Sequence, residues 1–318
     1  MIGAGMAGLA CAGAMHAAGR AVTVFDKGRR AGGRLATQRV EGMQFDHGAA
    51  YASARGPAFQ AVLDSMGASG DAAPWTAAGP DRWAGTPGMS ALARHMEGRG
   101  VGTVHTMRHA AHLERQAAGW MVRHHDAATA APGLVTDTGG EVAGPFEAVL
   151  LAVPAPQAAG LLRAVPHRFA AEAGRAGMAP CWALMAGFAG PSGAPDVLCP
   201  GGPLTWIARD TSRPGRAAAP ECWVAHASAE WSRTHLEDSA ETVRTALLQA
   251  FASATGLQGT PAYASVHRWR YALADSPLGV PALWDREAGL GVCGDWCLGA
   301  RIESAYDSGC ALAGMAGA

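Results

Sequence analysis

The chain opens with Met1-Ile2-Gly3-Ala4-Gly5-Met6-Ala7-Gly8-Leu9-Ala10, which contains the spacing Gly-x-Gly-x-x-Gly. In a strand–turn–helix unit the first glycine makes the tight turn, the second lets a pyrophosphate approach the backbone, and the third lets helix and strand pack closely. The N-terminus of the following helix then presents free N–H groups and a positive dipole end to phosphate. This stretch predicts a dinucleotide-binding α/β fold.

The residues that follow complete the nucleotide-binding unit. Small and apolar residues predict a helix up to about Gly19, and residues 21–26 have the pattern of a short buried strand. Asp26 ends that strand, where an acidic side chain accepts hydrogen bonds from ribose hydroxyls and repels a 2′-phosphate. The alternative is a glycine-rich turn without a ligand, which the complete unit disfavours.

A second glycine pair favours FAD over NAD as the dinucleotide. Gly32-Gly33-Arg34 brings another backbone loop towards the cofactor, and the Arg34 guanidinium can pair with a phosphate through two parallel hydrogen bonds. A domain that binds only NAD does not need this loop. The alternative interpretation is a basic surface turn.

A third motif, Gly294-Asp295, follows a predicted buried strand at 289–293. Asp295 can hold a ribityl hydroxyl or a water beside the pyrophosphate, and capping of a helix is the alternative role. The helix predicted from about Ile302 points its N-terminus at the flavin ring, with Arg301 at its start. The predicted cofactor-binding residues are Gly3, Ala4, Gly5, Met6, Ala7, Gly8, Asp26, Lys27, Gly33, Arg34, Leu35, Ala110, Gly294, Asp295, Arg301 and Ile302.

Between these motifs the chain is rich in predicted strands. Strand patterns recur around 100–160, and 164–280 combines alternating stretches with one long helix near 236–255. The predicted fold class is α/β, a Rossmann-like FAD-binding domain with an inserted β-rich substrate domain. The expected FAD-binding domain covers 1–55, 88–163 and 281–318, and the expected substrate domain covers 56–87 and 164–280.

Composition excludes several other classes of protein. The 318 residues carry a net charge of −1 with a pI of about 6.9, so bulk electrostatics gives no reason to expect nucleic acid as a partner. No apolar run is long enough to span a bilayer. Seven cysteines are too few for a disulfide scaffold and predict reduced thiols in a cytoplasmic protein. His105, His109 and His112 have ligand-like spacing without a partner cysteine, so no metal is expected.

The first strand of the nucleotide-binding unit is unusually short. Only Met1 and Ile2 precede Gly3, whereas a central parallel strand normally has about 5 residues. So short a strand is expected to leave backbone groups of its neighbours unpaired. Such a loss would loosen the turn at Gly3 and weaken the binding of FAD.

These motifs together resemble the FAD-dependent amine-oxidase superfamily, and more closely its bacterial renalase-like branch. The matching stretches extend over nearly the whole chain: VFDKGRRAGGR (24–34), FDHGAAY (45–51), WVAHASAEWS (223–232), HRWRYA (267–272) and GDWCLGAR (294–301). The first and last are shared by many flavoproteins, whereas two of the stretches between them are more specific. The resemblance implies a two-domain fold like that of hydroxybenzoate hydroxylase, with FAD held without a covalent bond.

In the renalase-like branch the implied activity is oxidation of mis-reduced dihydronicotinamide isomers to NAD(P)+, with O2 taking the electrons to give hydrogen peroxide. Such a substrate already carries a transferable hydride, so it needs aromatic faces and polar groups rather than a strong base. The candidate catalytic residues are Tyr51, His226, Trp269 and Trp296, with core packing as the alternative for each. We expect a small-molecule substrate, O2 as acceptor, no nucleic-acid or membrane partner, and a monomer or homodimer.

One departure from the superfamily concerns lysine. Many of its amine oxidases place a lysine near flavin N5, but Lys27 is the only lysine here and belongs to the loop after the second strand. An amine-oxidase mechanism that uses that lysine is therefore unavailable. An amine oxidase or desaturase of the same superfamily and a catalytically degenerate flavin-binding protein stay open as alternatives.

Overall fold

A computed structural model describes residues 1–129, 138–257 and 259–317. The helices are α1 (Met6–Ala17), α2 (Pro57–Ala68), α3 (Ser90–Gly98), α4 (Ala155–Leu162), α5 (Phe169–Arg175), α6 (Ala229–Thr234), α7 (Ala240–Thr255), α8 (Asp295–Leu298) and α9 (Ile302–Gly317). Short 3-10 helices lie at Gly33–Leu35, Thr76–Ala78 and Asp210–Ser212. None of the helices in these residues is long and apolar enough to cross a membrane.

The strands of the described residues are numbered in chain order. They are β1 (Thr23–Phe25), β2 (Gln38–Val40), β3 (Met43–Phe45), β4 (Ala72–Pro74), β5 (Trp83–Gly85), β6 (Thr103–His105), β7 (Arg108–Gln116), β8 (Gly119–Asp126), β9 (Glu141–Phe146), β10 (Val149–Leu151), β11 (Gly177–Phe188), β12 (Val197–Leu198), β13 (Leu204–Arg209), β14 (Glu221–Ala227), β15 (Tyr263–Ser276), β16 (Leu283–Asp285) and β17 (Leu290–Val292).

The chain divides into two units, each assembled from separate stretches of sequence. Unit 1 takes in 1–33, 93–178 and 274–318, and unit 2 takes in 34–92 and 179–273. These bounds differ from the predicted domains chiefly at 34–55 and 164–178. The hairpin β2–β3 belongs to unit 2 because Met43 and Phe45 pack with Met185 and Val224. α5 belongs to unit 1 because Phe169 lies in that unit's core.

A largely parallel sheet forms the centre of unit 1. β1 pairs with β6 and β10 pairs with β17 in parallel, and β16 adds an antiparallel edge. Ile2 bridges Phe25 of β1 and Leu151 of β10, and so joins the two pairs. Its amide donates to the Leu150 carbonyl at 2.8 Å, and its carbonyl accepts from the Ala152 amide at 2.7 Å. The expectation that so short a strand leaves its neighbours unpaired is therefore wrong, because Ile2 makes a bridge on each side.

Unit 2 is built on a sheet with the strand order β12-β13-β14-β11-β15. One face packs against α7, where Leu247 and Phe251 contact a core that includes Trp182 and Trp223. Because side chains alternate along a strand, Val224 and His226 of β14 point to the other face. Val224 packs there with Phe45 of β3, so that the residues after β3 continue across the face that carries His226.

Candidate active site

The fingerprint glycines form the turn between Ile2 and α1. Gly3 has a φ of +100°, and a Cβ at this residue would lie 2.5 Å from the Ala152 carbonyl oxygen. A Cβ on Gly8 would lie 1.9 Å from the Gly3 carbonyl oxygen, whereas nothing lies within 4 Å of the same position on Gly5. Gly3 and Gly8 therefore permit close packing, and Gly5 faces open space.

The start of α1 has the features of an anion site. Gly5 is the N-cap residue, and no side chain caps the helix there. The first backbone hydrogen bond of the helix runs from the Leu9 amide to the Gly5 carbonyl at 2.9 Å. The amides of Met6, Ala7 and Gly8 thus have no acceptor within the helix. Free amides and the positive end of the helix dipole suit a pyrophosphate.

Asp26 braces the fingerprint loop. Its Oδ2 accepts the Ala4 amide at 2.6 Å and its Oδ1 accepts the Gly28 amide at 2.6 Å. Each carboxylate oxygen can accept a second hydrogen bond, so this bracing leaves room for a ribose hydroxyl. The predicted contact of Asp26 with ribose stays a prediction.

The second glycine loop lies against the first. The Gly32 amide donates to the Ala4 carbonyl at 2.8 Å, and a Cβ on Gly33 would lie 3.5 Å from the Gly5 Cα. Arg34 begins unit 2, where its Nη1 donates to the Ala272 carbonyl at 2.9 Å and Leu35 beside it is buried. A phosphate contact of Arg34 stays a prediction.

The remaining predicted cofactor residues lie in unit 1. Lys27 is exposed after β1, and Ala110 is buried in β7. Asp295, the first residue of α8, is buried. Arg301 donates from Nη2 to Glu303 Oε2 at 3.1 Å just before Ile302 begins α9.

Trp296 differs from the role predicted for it. Its side chain is fully buried in the core of unit 1, and its indole N–H donates to the Val153 carbonyl at 3.0 Å. A tryptophan without exposed surface has no ring face to offer a substrate. The structure therefore places Trp296 among the core residues.

Unit 2 brings two of the candidate catalytic residues together with two further histidines. We call His47, His226, His267 and Trp269 the histidine cluster. The His47 carbonyl accepts the Trp269 indole N–H at 2.8 Å and lies 3.3 Å from His226 Nε2. The His47 ring stacks on Trp269 with centroids 5.3 Å apart. The centroid of the His267 ring lies 4.6 Å from that of the His47 ring.

The three histidines of the cluster are held neutral. Burial, followed by the neighbouring His267 and His226 rings, lowers the pKa of His47 to about 3. Burial also lowers the pKa of His226 and of His267. His226 Nε2 faces a carbonyl oxygen, so it carries the ring proton and leaves Nδ1 as an acceptor.

A buried ionic network holds the segment that carries His47. Asp210 Oδ2 accepts the Asp46 amide at 2.5 Å, and Asp210 Oδ1 accepts Arg213 Nε at 2.6 Å. Arg213 Nη1 donates to the Ala50 carbonyl at 2.5 Å, and Arg216 pairs with Asp46. Burial and the nearby Asp210 raise the pKa of Asp46. The ion pairs with Arg213 and Arg216, and not this pKa, commit both carboxylates to arginines.

Tyr51 lies apart from the histidine cluster, four residues after His47 in the segment that follows β3. Its ring centroid is 5.6 Å from that of Trp206 and 4.3 Å from the Arg82 guanidinium carbon. Trp206 is the Cα partner of His226 across the β13–β14 pair, so the two side chains point to the same face of the sheet.

Comparison with known proteins gives the family. A model of NAD(P)-binding Rossmann-like domains matches residues 1–66, and a model of flavin-containing amine oxidoreductases matches residues 75–314. The chain belongs to the flavin-containing amine oxidoreductase family. FAD is therefore the cofactor of this oxidoreductase, and the glycine loops with the uncapped start of α1 fit its pyrophosphate.

Solved structures similar to this oxidoreductase share its fold at low identity. A protein provisionally assigned as a protoporphyrinogen oxidase, from Exiguobacterium sp. 255-15, has a TM-score of 0.76 at 14% identity, covering 99% of this chain and 97% of that one. Cyclohexylamine oxidase from Brevibacterium oxydans IH-35A has a TM-score of 0.67 at 13% identity with the same coverage. A putrescine oxidase bound to putrescine has a TM-score of 0.66 at 15% identity, again with that coverage.

Sequence reasoning missed several residues of the oxidoreductase's candidate site. His267 lies two residues before Trp269 on β15, so the strand period of two could have identified it. His47 lies in the stretch 45–51 that carries the family resemblance. Asp210 and Arg213 had no such signal, because they are far from this stretch in the sequence and meet it only through the fold.

Proposed function

We propose that the protein is a renalase-like oxidase that oxidises dihydronicotinamide substrates with non-covalently bound FAD. The observation that carries this proposal is the pairing of both buried carboxylates near the histidine cluster with arginines. His47, His226 and His267 have lowered pKa values, and the carboxylates Asp46 and Asp210 are paired with arginines. A cationic amine would find no free carboxylate among these groups, whereas an uncharged dihydronicotinamide ring needs none.

The side chains of the cluster supply what a dihydronicotinamide requires. The half-buried Trp269 ring offers apolar surface to a planar ring. His226 Nδ1, which has no partner among the described residues, can accept an N–H of the carboxamide. The His47 carbonyl holds both side chains in place. Bound FAD supplies the hydride-accepting N5 and passes the electrons on to O2.

The position of the single lysine supports the same choice of substrate. Lys27 is the only lysine of the chain, and it lies in unit 1 directly after Asp26. No lysine is therefore present in unit 2, where the histidine cluster lies. Hydride transfer from a substrate that is already reduced proceeds without a lysine.

The test is anaerobic mixing of the FAD-loaded protein with a panel of reductants while the oxidised flavin band is followed. We expect dihydronicotinamide isomers to bleach the flavin at a rate that saturates with concentration, and cyclohexylamine and putrescine to leave it oxidised. Readmission of O2 should restore the band and release hydrogen peroxide. Bleaching by the amines and not by the dihydronicotinamides would overturn the proposal.

An amine oxidase is the second candidate, because two of the similar structures are oxidases named after amines. The flavin of a desaturase would be bleached neither by amines nor by dihydronicotinamides. It would be bleached by a substrate that is oxidised at a carbon–carbon bond. A catalytically degenerate protein would purify with FAD and bleach with none of them.

Three finer points belong to this proposal. We propose that unit 1 holds FAD and unit 2 the substrate, in a two-domain arrangement like that of hydroxybenzoate hydroxylase. Seven cysteines without a disulfide support a cytoplasmic location. A monomer or homodimer that acts on a small molecule and O2 is the assembly we propose.

A further inference from the structure

Arg82 carries a guanidinium that the fold of unit 2 does not neutralise. The residue lies just before β5 and is half-buried, with its guanidinium carbon 4.3 Å from the centroid of the Tyr51 ring. Within the described residues this side chain has no carboxylate and no hydrogen-bond acceptor. Arg209 and Arg213 of the same unit differ, because each pairs with an aspartate or glutamate.

Two further donors without acceptors belong to Tyr51, whose ring lies under the Arg82 guanidinium, and to Trp206, whose ring lies next to that of Tyr51. The indole N–H of Trp206 is buried and unpaired, and the Trp206 ring lies 5.6 Å from that of Tyr51. The Tyr51 hydroxyl has no partner in the part of the chain that the structure describes. A buried donor without an acceptor is costly, so a group that brings acceptors and negative charge would be stabilised here.

The position of these donors relates them to the histidine cluster. Trp206 is the cross-strand partner of His226, whose Nε2 faces the His47 carbonyl. Neighbouring strands lie about 5 Å apart, so a nucleotide whose ring contacts His226 has its phosphates within reach of the next strand.

We propose that Arg82, Tyr51 and Trp206 form an oxyanion subsite that binds the diphosphate of a dinucleotide substrate. The identity of the substrate rests on the proposed function, whereas the binding of an oxyanion does not. The subsite makes the enzyme prefer a dihydronicotinamide dinucleotide over the same ring without phosphate.

The kinetic test compares Arg82→Gln with the wild type and with Arg39→Gln, which removes an exposed arginine of the β2–β3 hairpin. Each FAD-loaded protein oxidises a dihydronicotinamide dinucleotide and the corresponding riboside, which lacks phosphate. Arg82→Gln should raise KM for the dinucleotide about 10-fold, since a charged hydrogen bond is lost, and leave kcat and the KM for the riboside unchanged. An equal change for both substrates, or none, would overturn the subsite.

A binding test separates the subsite from the proposed function. Inorganic pyrophosphate is titrated into the same FAD-loaded proteins while tryptophan fluorescence is followed. Wild type and Arg39→Gln should bind it, and Arg82→Gln should bind about 10-fold more weakly. Equal binding by all three proteins contradicts the subsite. If no dihydronicotinamide is oxidised but this difference is found, the proposed function fails and the oxyanion subsite stands.

Discussion

His47 combines two functions in one residue of unit 2. Its carbonyl accepts the Trp269 indole N–H at 2.8 Å and lies 3.3 Å from His226 Nε2, which sets the tautomer of His226. Its own ring is buried, and Nδ1 has no partner. The position of His47 therefore leaves one buried polar atom unsatisfied, which lowers the stability of the folded chain.

The buried His47 ring should make the protein sensitive to acid. Its pKa is about 3 in the folded chain and about 6.5 when unfolded, so between these values the unfolded chain binds a proton that the folded one excludes. Stability should fall as the pH drops below about 6.5, by about 2 kcal/mol from this residue at pH 5. Urea unfolding at pH 7 and pH 5 measures the loss.

The matched variants for this measurement are His47→Gln and His16→Gln. His16 is exposed on α1, so its replacement should leave the pH dependence as in the wild type. His47→Gln should lose about 2 kcal/mol less than the wild type on acidification. The same loss in His47→Gln as in the wild type would show that another group causes the acid sensitivity.

Substitutions of His226 should separate its two ring nitrogens. Glutamine places an amide where Nε2 lies, so His226→Gln keeps a donor to the His47 carbonyl and loses the Nδ1 acceptor. Asparagine places its amide where Nδ1 lies, so His226→Asn keeps an acceptor at that position and loses the donor to the His47 carbonyl. His226→Gln should keep its melting temperature and raise KM for the dihydronicotinamide about 10-fold, whereas His226→Asn should lose about 1 kcal/mol of stability and keep more of its affinity. Melting curves and KM values that do not differ between the two variants would contradict this assignment.

Helix α1 and the loop before it form the element that we propose binds the pyrophosphate of FAD. Neither Gly3 nor Gly8 tolerates a side chain, because Gly3 has a positive φ and Gly8 contacts the Gly3 carbonyl. Gly13, also in α1, is different: a Cβ there would be 3.7 Å from its nearest neighbour, an ordinary contact. We therefore expect alanine to have opposite effects on stability at Gly8 and at Gly13.

Gly8→Ala should displace the Gly3 turn and lower both stability and FAD content. Gly13→Ala should keep its FAD content and gain about 0.5–1 kcal/mol, since alanine loses less conformational entropy in a helix than glycine. Melting temperature and the ratio of flavin to protein absorbance after purification measure both effects. Full flavin content in Gly8→Ala would show that the fingerprint turn is not the pyrophosphate site.

At the scale of the whole molecule, FAD is part of the stability of the folded chain. A ligand that binds only the native state stabilises it, by about 2.7 kcal/mol at a concentration 100-fold above Kd. Protein stripped of flavin should therefore melt at a lower temperature and recover as FAD is added. FMN lacks the adenosine monophosphate that completes the pyrophosphate, so FMN should give little shift. Equal shifts with FAD and FMN would contradict the assignment of the α1 cradle to the pyrophosphate.

Local patterns were enough to predict several elements and the glycine turn before α1. The helix α9 after Gly294-Asp295 and the glycine turn before α1 each depend on a few adjacent residues. Backbone sterics and capping act over such short distances, so sequence alone predicts them. The expectation for the short first strand was wrong about its pairing, because pairing with distant strands is not a local property.

The sequence by itself determined the Rossmann-like turn and the FAD cofactor, since glycine spacing dictates what backbone and phosphate can approach each other. Only the tertiary structure decided which aromatic and histidine side chains meet. His47, His226 and His267 become neighbours because β14, β11 and β15 lie in that order in one sheet, with the segment after β3 across it. Trp296 looked equally suitable in the sequence, but burial placed it in the core of unit 1. Pairing of distant strands and burial depend on the whole chain, and no local pattern encodes them.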